Sequence, residues 1–264
     1  MTGRTGAAMA YFERTGERTF RASPHVGGAW DQATQHIAPA LGLLAHVVET
    51  DRDARRRDGL VIGRLSYDIL GTLPVEEVEV TVTVLRPGRT IELVQATMAH
   101  AGRDAVILRA WLMEPRDTGT IAGTAYAPIA PPEDMKPWDP TTVWQGGFIA
   151  SAEVRRDAQA PGRGSFWVRP GHDLVADEEA SRLARVAGLV DIANGMVVRE
   201  DPTAVAFPNI DLTAHFFRLP RGEWTGFDTT VSFGADGLGL TSSVLHDVDG
   251  PFGTVGQMLT VRPS

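Results

Sequence analysis

Two stretches of this chain, about 146 residues apart, repeat one another. Ala40-Leu41-Gly42-Leu43-Leu44-Ala45 lines up with Val186-Ala187-Gly188-Leu189-Val190-Asp191, and Leu65–Pro74 lines up with Asp211–Pro220. The strand candidates that close each half, Arg109–Pro115 and Gln257–Pro263, also correspond. A spacing held across several elements points to a duplicated fold unit. The repeat also supplies an internal control: Asp211 and Gln257 stand where the first copy has Leu65 and Arg109, so the fold itself does not require those polar groups.

Hydropathy gives the unit its content. From Ala29 to Glu49 the pattern is helical and apolar on every side, as expected of a helix enclosed by other structure. Pro39 is expected to kink it. A charged loop is expected over Asp51–Gly59, then strands at Leu60–Leu70, Val78–Leu85, Thr90–Ala99 and Ala105–Met113. Before them lies a short strand candidate at Tyr11-Phe12 and a turn-rich stretch ending Gly27-Gly28. Prolines at 128, 131, 132, 137 and 140 mark residues 116–147 as an extended linker with little regular structure. The order then recurs: a strand near Ser165–Arg169, a helix from about Asp177 to Val197 opened by acidic residues, and strands near Asn209–Phe217, Phe227–Phe233, Gly239–His246 and Thr254–Val261. The expected organisation is an N-terminal unit over residues 1–115, the linker, and a C-terminal unit over 148–264, each a buried helix wrapped by an antiparallel meander in an α+β fold.

Composition removes several chemistries. With no cysteine there is no disulfide, thiolate nucleophile or cysteine-bound metal. A net charge of −8 argues against a nucleic-acid surface. The seven histidines lack metal-ligand spacing, and there is no Gly-x-Ser-x-Gly elbow, phosphate loop or strand-to-helix dinucleotide fingerprint. No signal pattern or long apolar run appears, so a cytoplasmic location without membrane insertion is expected. Lys136 is the only lysine; the remaining cations are arginines, which reflects a GC-rich genome or suits a phosphate-bearing ligand.

Strand alternation puts Asp211, Thr213, His215 and Phe217 on one face. An aspartate in an apolar strand is costly to bury unless paired or functional. With Gln257 and a hydroxyl on the neighbouring strand (Ser232, or Thr230), it could orient a water for attack on a carbonyl. His215 reads as an alternate base or as a satisfied strand histidine. The Gly28 and Ala29 backbone N–H groups, next to the first helix, read as oxyanion donors or as a tight turn.

The duplicated unit, Gly27-Gly28, Asp211 heading a strand that ends Phe216-Phe217-Arg218, and Thr254-Val255-Gly256-Gln257 together resemble the TesB-like acyl-CoA thioesterases over about residues 18–263. That resemblance implies a double hotdog, an acyl-CoA substrate, a role in lipid metabolism, no cofactor or metal, and a homo-oligomer. It also implies an aspartate, a hydroxyl and a glutamine that activate water, carried onto Asp211, Ser232 and Gln257. The chain departs from the family at Leu212, where histidine is frequent, and in having serine where threonine is common. Two alternatives stand beside hydrolysis: a hotdog enoyl-CoA hydratase or dehydratase, and a non-catalytic acyl-CoA-binding protein.

Overall fold

In the computed structural model, which describes residues 9–263, the two halves share one 14-stranded sheet curved around two crossing helical segments. Strands β1 (Ala10–Arg14) and β2 (Thr19–Ala22) lead to helix α1 (Ile37–Arg55), and the first meander follows as β3 (Val61–Ile69), β4 (Glu77–Arg86), β5 (Ile91–His100) and β6 (Arg103–Met113). The connecting segment contributes β7 (Lys136–Trp138) and the short helix α2 (Gly147–Ser151). The second half contains β8 (Glu153–Ala160), β9 (Arg163–Arg169), β10 (Asp173–Val175), helices α3 (Arg182–Ala187) and α4 (Ala193–Met196), and β11 (Val205–Ala206). Its meander is β12 (Asp211–Phe216), β13 (Thr225–Phe233), β14 (Leu238–Asp247) and β15 (Gly250–Thr260), ending in β16 (Arg262–Pro263).

The repeat is visible in the ladders. Tyr67 of β3 faces Leu108 of β6; Thr213 of β12 faces Gly256 of β15, the matching pair one repeat later. The halves join where β3 and β12 pair antiparallel, with Ser66 opposite Thr213 and their hydroxyls hydrogen-bonded at 2.9 Å. The helices meet at the repeated glycines. A Cβ on Gly42 would lie 2.9 Å from the Gly188 Cα and 3.0 Å from the Ala184 carbonyl oxygen, so the crossing admits no side chain there. Residues Ala38–His46 of α1 are buried without interruption, as an enclosed helix requires.

Several expected boundaries differ. Helix α1 begins at Ile37, so Gly28 lies in a loop well upstream, and Pro39 falls in the first turn, where the missing N–H has no helical partner to lose. The helix continues through the acidic and basic run as far as Arg55 instead of ending at a charged loop. Glu92, 2% exposed, explains this: Arg55 and Arg56 reach it at 2.9 and 2.6 Å and tie the helix end to β5. The second helix is broken. Ser181 caps α3, the segment stops at Gly188, a single 3-10 turn spans Val190–Ile192, and α4 follows. Asp177–Glu179 precede the helix rather than open it, and Asp177 has φ 59°.

Candidate active site

The break in the second helix places an acid inside the protein. Asp191 sits in the 3-10 turn between buried Val190 and Ile192 and is itself 5% exposed. Its Oδ1 accepts from Asn209 Nδ2 at 2.7 Å, and its Oδ2 lies 3.5 Å from His36 Nδ1, across the gap between the two halves. His36 caps α1, its Nδ1 accepting the Ala38 N–H at 3.2 Å. That lone pair is occupied, so the imidazole is neutral, and burial holds its pKa down at about 3. Burial pushes Asp191 up to about 6, with Asn209 pulling the other way.

Gln257 lies beside the same turn. It points inward from β15 with Val255 and Leu259, is 1% exposed, and donates from Nε2 to the carbonyls of Asp191 at 2.9 Å and Val190 at 3.3 Å. Its Oε1 is buried without a partner. The turn that carries Asp191 is thus held by Gln257 from below the backbone and by Asn209 at the carboxylate.

A cavity of about 370 Å³ opens over these groups. One wall is the loop Gly28–Ile37, another the end of β3 at Ile69–Thr72, and a third the broken helix from Asp191 to Met196 with Pro208–Ile210. The connecting segment closes it with Trp144, which donates to the Gly195 carbonyl at 2.7 Å and packs edge-on against Trp30 and Phe207. The seam is tight: a Cβ on Gly146 would lie 2.5 Å from the carbonyl oxygens of Gly27 and Gly28. Gly28 and Ala29 both line the cavity. The Gly28 N–H is taken by the Thr34 carbonyl at 2.8 Å, while the Ala29 N–H makes no hydrogen bond among the described residues.

Of the residues singled out from sequence, the structure sets Gly28 and Ala29 in the cavity lining and Gln257 behind the Asp191 turn, and leaves the others outside. Asp211 does share a face with Thr213 and His215, but Leu212 and Ala214 are the residues of β12 that point to the helices. Asp211 is half-buried on the opposite face, and its Oδ1 accepts the Met258 N–H at 2.7 Å. Ser232 and Thr230 alternate with buried Thr229 and Val231 and are exposed, as is His215. The polar side chains at the cavity that sequence reasoning does not single out are Asp191, Asn209 and His36. A signal for the first was present: the repeat sets Asp191 against Ala45, the same acid-for-apolar exchange as Asp211 for Leu65. Among the described residues no group of three or more His, Cys, Asp or Glu side chains could hold a metal, and no helix is long and apolar enough to cross a membrane.

Comparison with known proteins agrees with this architecture. A family model described as the acyl-CoA thioesterase N-terminal domain matches residues 26–113, and one described as the acyl-CoA thioesterase C-terminal domain matches residues 131–261. No sequence among the curated proteins matches. Among solved structures, a conserved protein of unknown function with a hot dog fold from Alicyclobacillus acidocaldarius superposes with a TM-score of 0.70 at 14% identity, covering 100% of both chains. The acyl-CoA thioesterase II TesB2 from Mycobacterium marinum gives 0.68 at 16% identity over 96% of this chain and 95% of that one. The tesB protein of Mycobacterium avium subs paratuberculosis gives 0.64 at 19% identity over 96% of each. The shared fold is the double hotdog.

Proposed function

We propose, from the premise that this chain belongs to the acyl-CoA thioesterase family and is a thioester hydrolase, that it cleaves acyl-CoA by water attack directed by Asp191. The observation that carries the reading is a buried carboxyl group, raised to about 6, facing a largely apolar cavity between the two halves. A base with a pKa near the working pH combines a high ionised fraction with useful basicity.

In this reading Asp191 takes a proton from a water as the water oxygen bonds to the thioester carbon. The carbonyl oxygen, gaining charge, accepts the unpaired Ala29 N–H. Collapse of the tetrahedral adduct breaks the carbon–sulfur bond, and the proton on Asp191 passes to the departing thiolate. Asn209 fixes one carboxylate oxygen, leaving the other to the water, and Gln257 acts as a positioning residue through the backbone of the turn. The acyl chain occupies the space closed by Trp144 and Met196.

The pH profile tests the base. The kcat/KM for acyl-CoA hydrolysis should fall about tenfold for each pH unit below about 6 and level off above it. A profile flat down to pH 4 would remove Asp191 from this role. Trp144 tests the slot: Trp144→Leu should shift preference toward longer acyl chains by about tenfold or more in relative kcat/KM, the scale of a few methylenes in an apolar pocket. An unchanged chain-length series would place the acyl group elsewhere.

Hydration of an enoyl-CoA needs a competent acid–base pair, and the cavity does bring His36 within 3.5 Å of Asp191. With its Nδ1 engaged and its pKa near 3, His36 is a poor proton carrier, so enoyl-CoA absorbance should not decay in the enzyme's presence.

A further inference from the structure

The repeat also duplicates the cavity wall, and the second copy carries different chemistry. Thr34-Gln35-His36-Ile37 corresponds to Ala180-Ser181-Arg182-Leu183, which puts Arg182 where the first half has His36. A separate crevice of about 570 Å³ opens there, lined by Ser181, Arg182, Arg185 and Arg221 with Glu179. Arg182 donates from Nη2 to the Trp224 carbonyl and the Thr225 hydroxyl, each at 2.8 Å. Its Nε is buried without a partner, and its Nη1 makes no hydrogen bond. Among the described residues neither Arg182 nor Arg185 has a carboxylate within ion-pair distance, and Arg185 uses only Nε, on the Ala180 carbonyl.

Of the nearby acids, Asp247, Asp249 and Glu223 are already engaged, Asp249 by Arg221 at 3.4 Å, while Glu179 in the crevice wall forms no ion pair among the described residues. Asp247 is held in a fork by Arg218 at 2.6 and 2.7 Å and also accepts the Arg221 N–H; Glu223 pairs with Arg169. Burial, reinforced by the like charge of Arg185, brings the Arg182 pKa down to about 10. A largely buried guanidinium without an anion, next to a second unpaired one, is an uncommon arrangement unless a ligand supplies the negative charge. Guanidinium donors match phosphate oxygens in geometry as well as charge.

We propose that this crevice binds a phosphate group, with Arg182 as the inner donor and Arg185 and Arg221 at the mouth. Ala180–Arg182, the second copy of the Thr34–His36 wall, thereby serves an anion site while the first copy lines the acyl site. The phosphate belongs either to the nucleotide end of coenzyme A or to a separate phosphate ester. The assignment does not depend on the thioesterase reading, because binding is measured without turnover.

Titration of the full-length protein with inorganic pyrophosphate in a calorimeter tests it. Wild type should bind one equivalent, and Arg182→Gln should weaken binding by about 10- to 100-fold, the loss expected when charge-assisted hydrogen bonds are removed. The surface double variant Arg185→Gln/Arg221→Gln, which leaves the Trp224 and Thr225 contacts intact, should weaken it as well, and Glu179→Gln should tighten it. Absence of pyrophosphate binding by wild type, or equal binding by wild type and both arginine variants, would overturn the site. A KM rise in the arginine variants for acyl-CoA but not for acyl-pantetheine assigns the phosphate to coenzyme A. Lost pyrophosphate binding with both KM values unchanged assigns it to a separate ligand.

Discussion

Asp191→Asn should abolish acyl-CoA turnover and at the same time make the protein more stable above pH 6. Removing a general base costs about 10²- to 10⁴-fold in rate. The stability gain follows from the raised pKa. Folding lifts the carboxyl from 3.8 to about 6, so its contribution to stability is complete below pH 3.8 and is lost as pH rises through 6. Above that, the native state holds a buried carboxylate at a cost of about 3 kcal/mol, from ~1.4 kcal/mol per pH unit of displacement. Asparagine cannot ionise, and its side-chain oxygen can still accept from Asn209 Nδ2. His36, shifted in the opposite direction, destabilises the native state as pH falls below 6.5, but it does so in both proteins, so the difference between them isolates Asp191. Urea midpoints at pH 4 and pH 8 should coincide at the lower pH and separate at the higher, with the variant more resistant. A variant less stable than wild type at pH 8 would show that the carboxylate is a structural partner.

The helix crossing should be equally sensitive, and unequally so on its two sides. A Cβ on Gly42 meets backbone at 2.9–3.0 Å, atoms that cannot swing aside, whereas one on Gly188 finds its nearest neighbour at 3.4 Å, ordinary contact. Gly42→Ala should therefore destabilise by about 1–3 kcal/mol, the range for an overpacked core, and Gly188→Ala by less than about 1 kcal/mol. Because the Asp191 turn follows directly from Gly188, Gly42→Ala should also lower kcat, by displacing the carboxyl from His36 and Asn209. Equal midpoints for the two variants in thermal denaturation would show that the helices can separate without strain.

The duplication and the strands were legible because they rest on local signals: alternation, turn residues and a repeat that compares the chain with itself. Gln257 could be found for that reason, standing inward between Val255 and Leu259 where the first copy has Arg109. Alternation says which residues share a face without saying which face is inside, and Asp211 lies on the outer one. Leu212 and Ala214 take the inner one, and they are as apolar as the helices they meet. Asp191 carried the same asymmetry in its Ala45 counterpart, but it lay within a segment read as one continuous apolar helix, where a single acid looks like noise. Only the break after Gly188 turns it toward His36. Trp144 and Asn209 reach the cavity through contacts 51 and 18 residues apart in sequence, which no local pattern encodes. Its prolines mark the linker as irregular, but nothing local signals that Trp144 lines the cavity.

The central claim is that Asp191, and not the aspartate that heads β12, directs the water. A side-by-side measurement of kcat/KM on one acyl-CoA at pH 8 for wild type, Asp191→Asn and Asp211→Asn decides it. The account predicts a loss of at least about 100-fold for Asp191→Asn and activity within a few-fold of wild type for Asp211→Asn. Loss in Asp211→Asn with Asp191→Asn still active would contradict it.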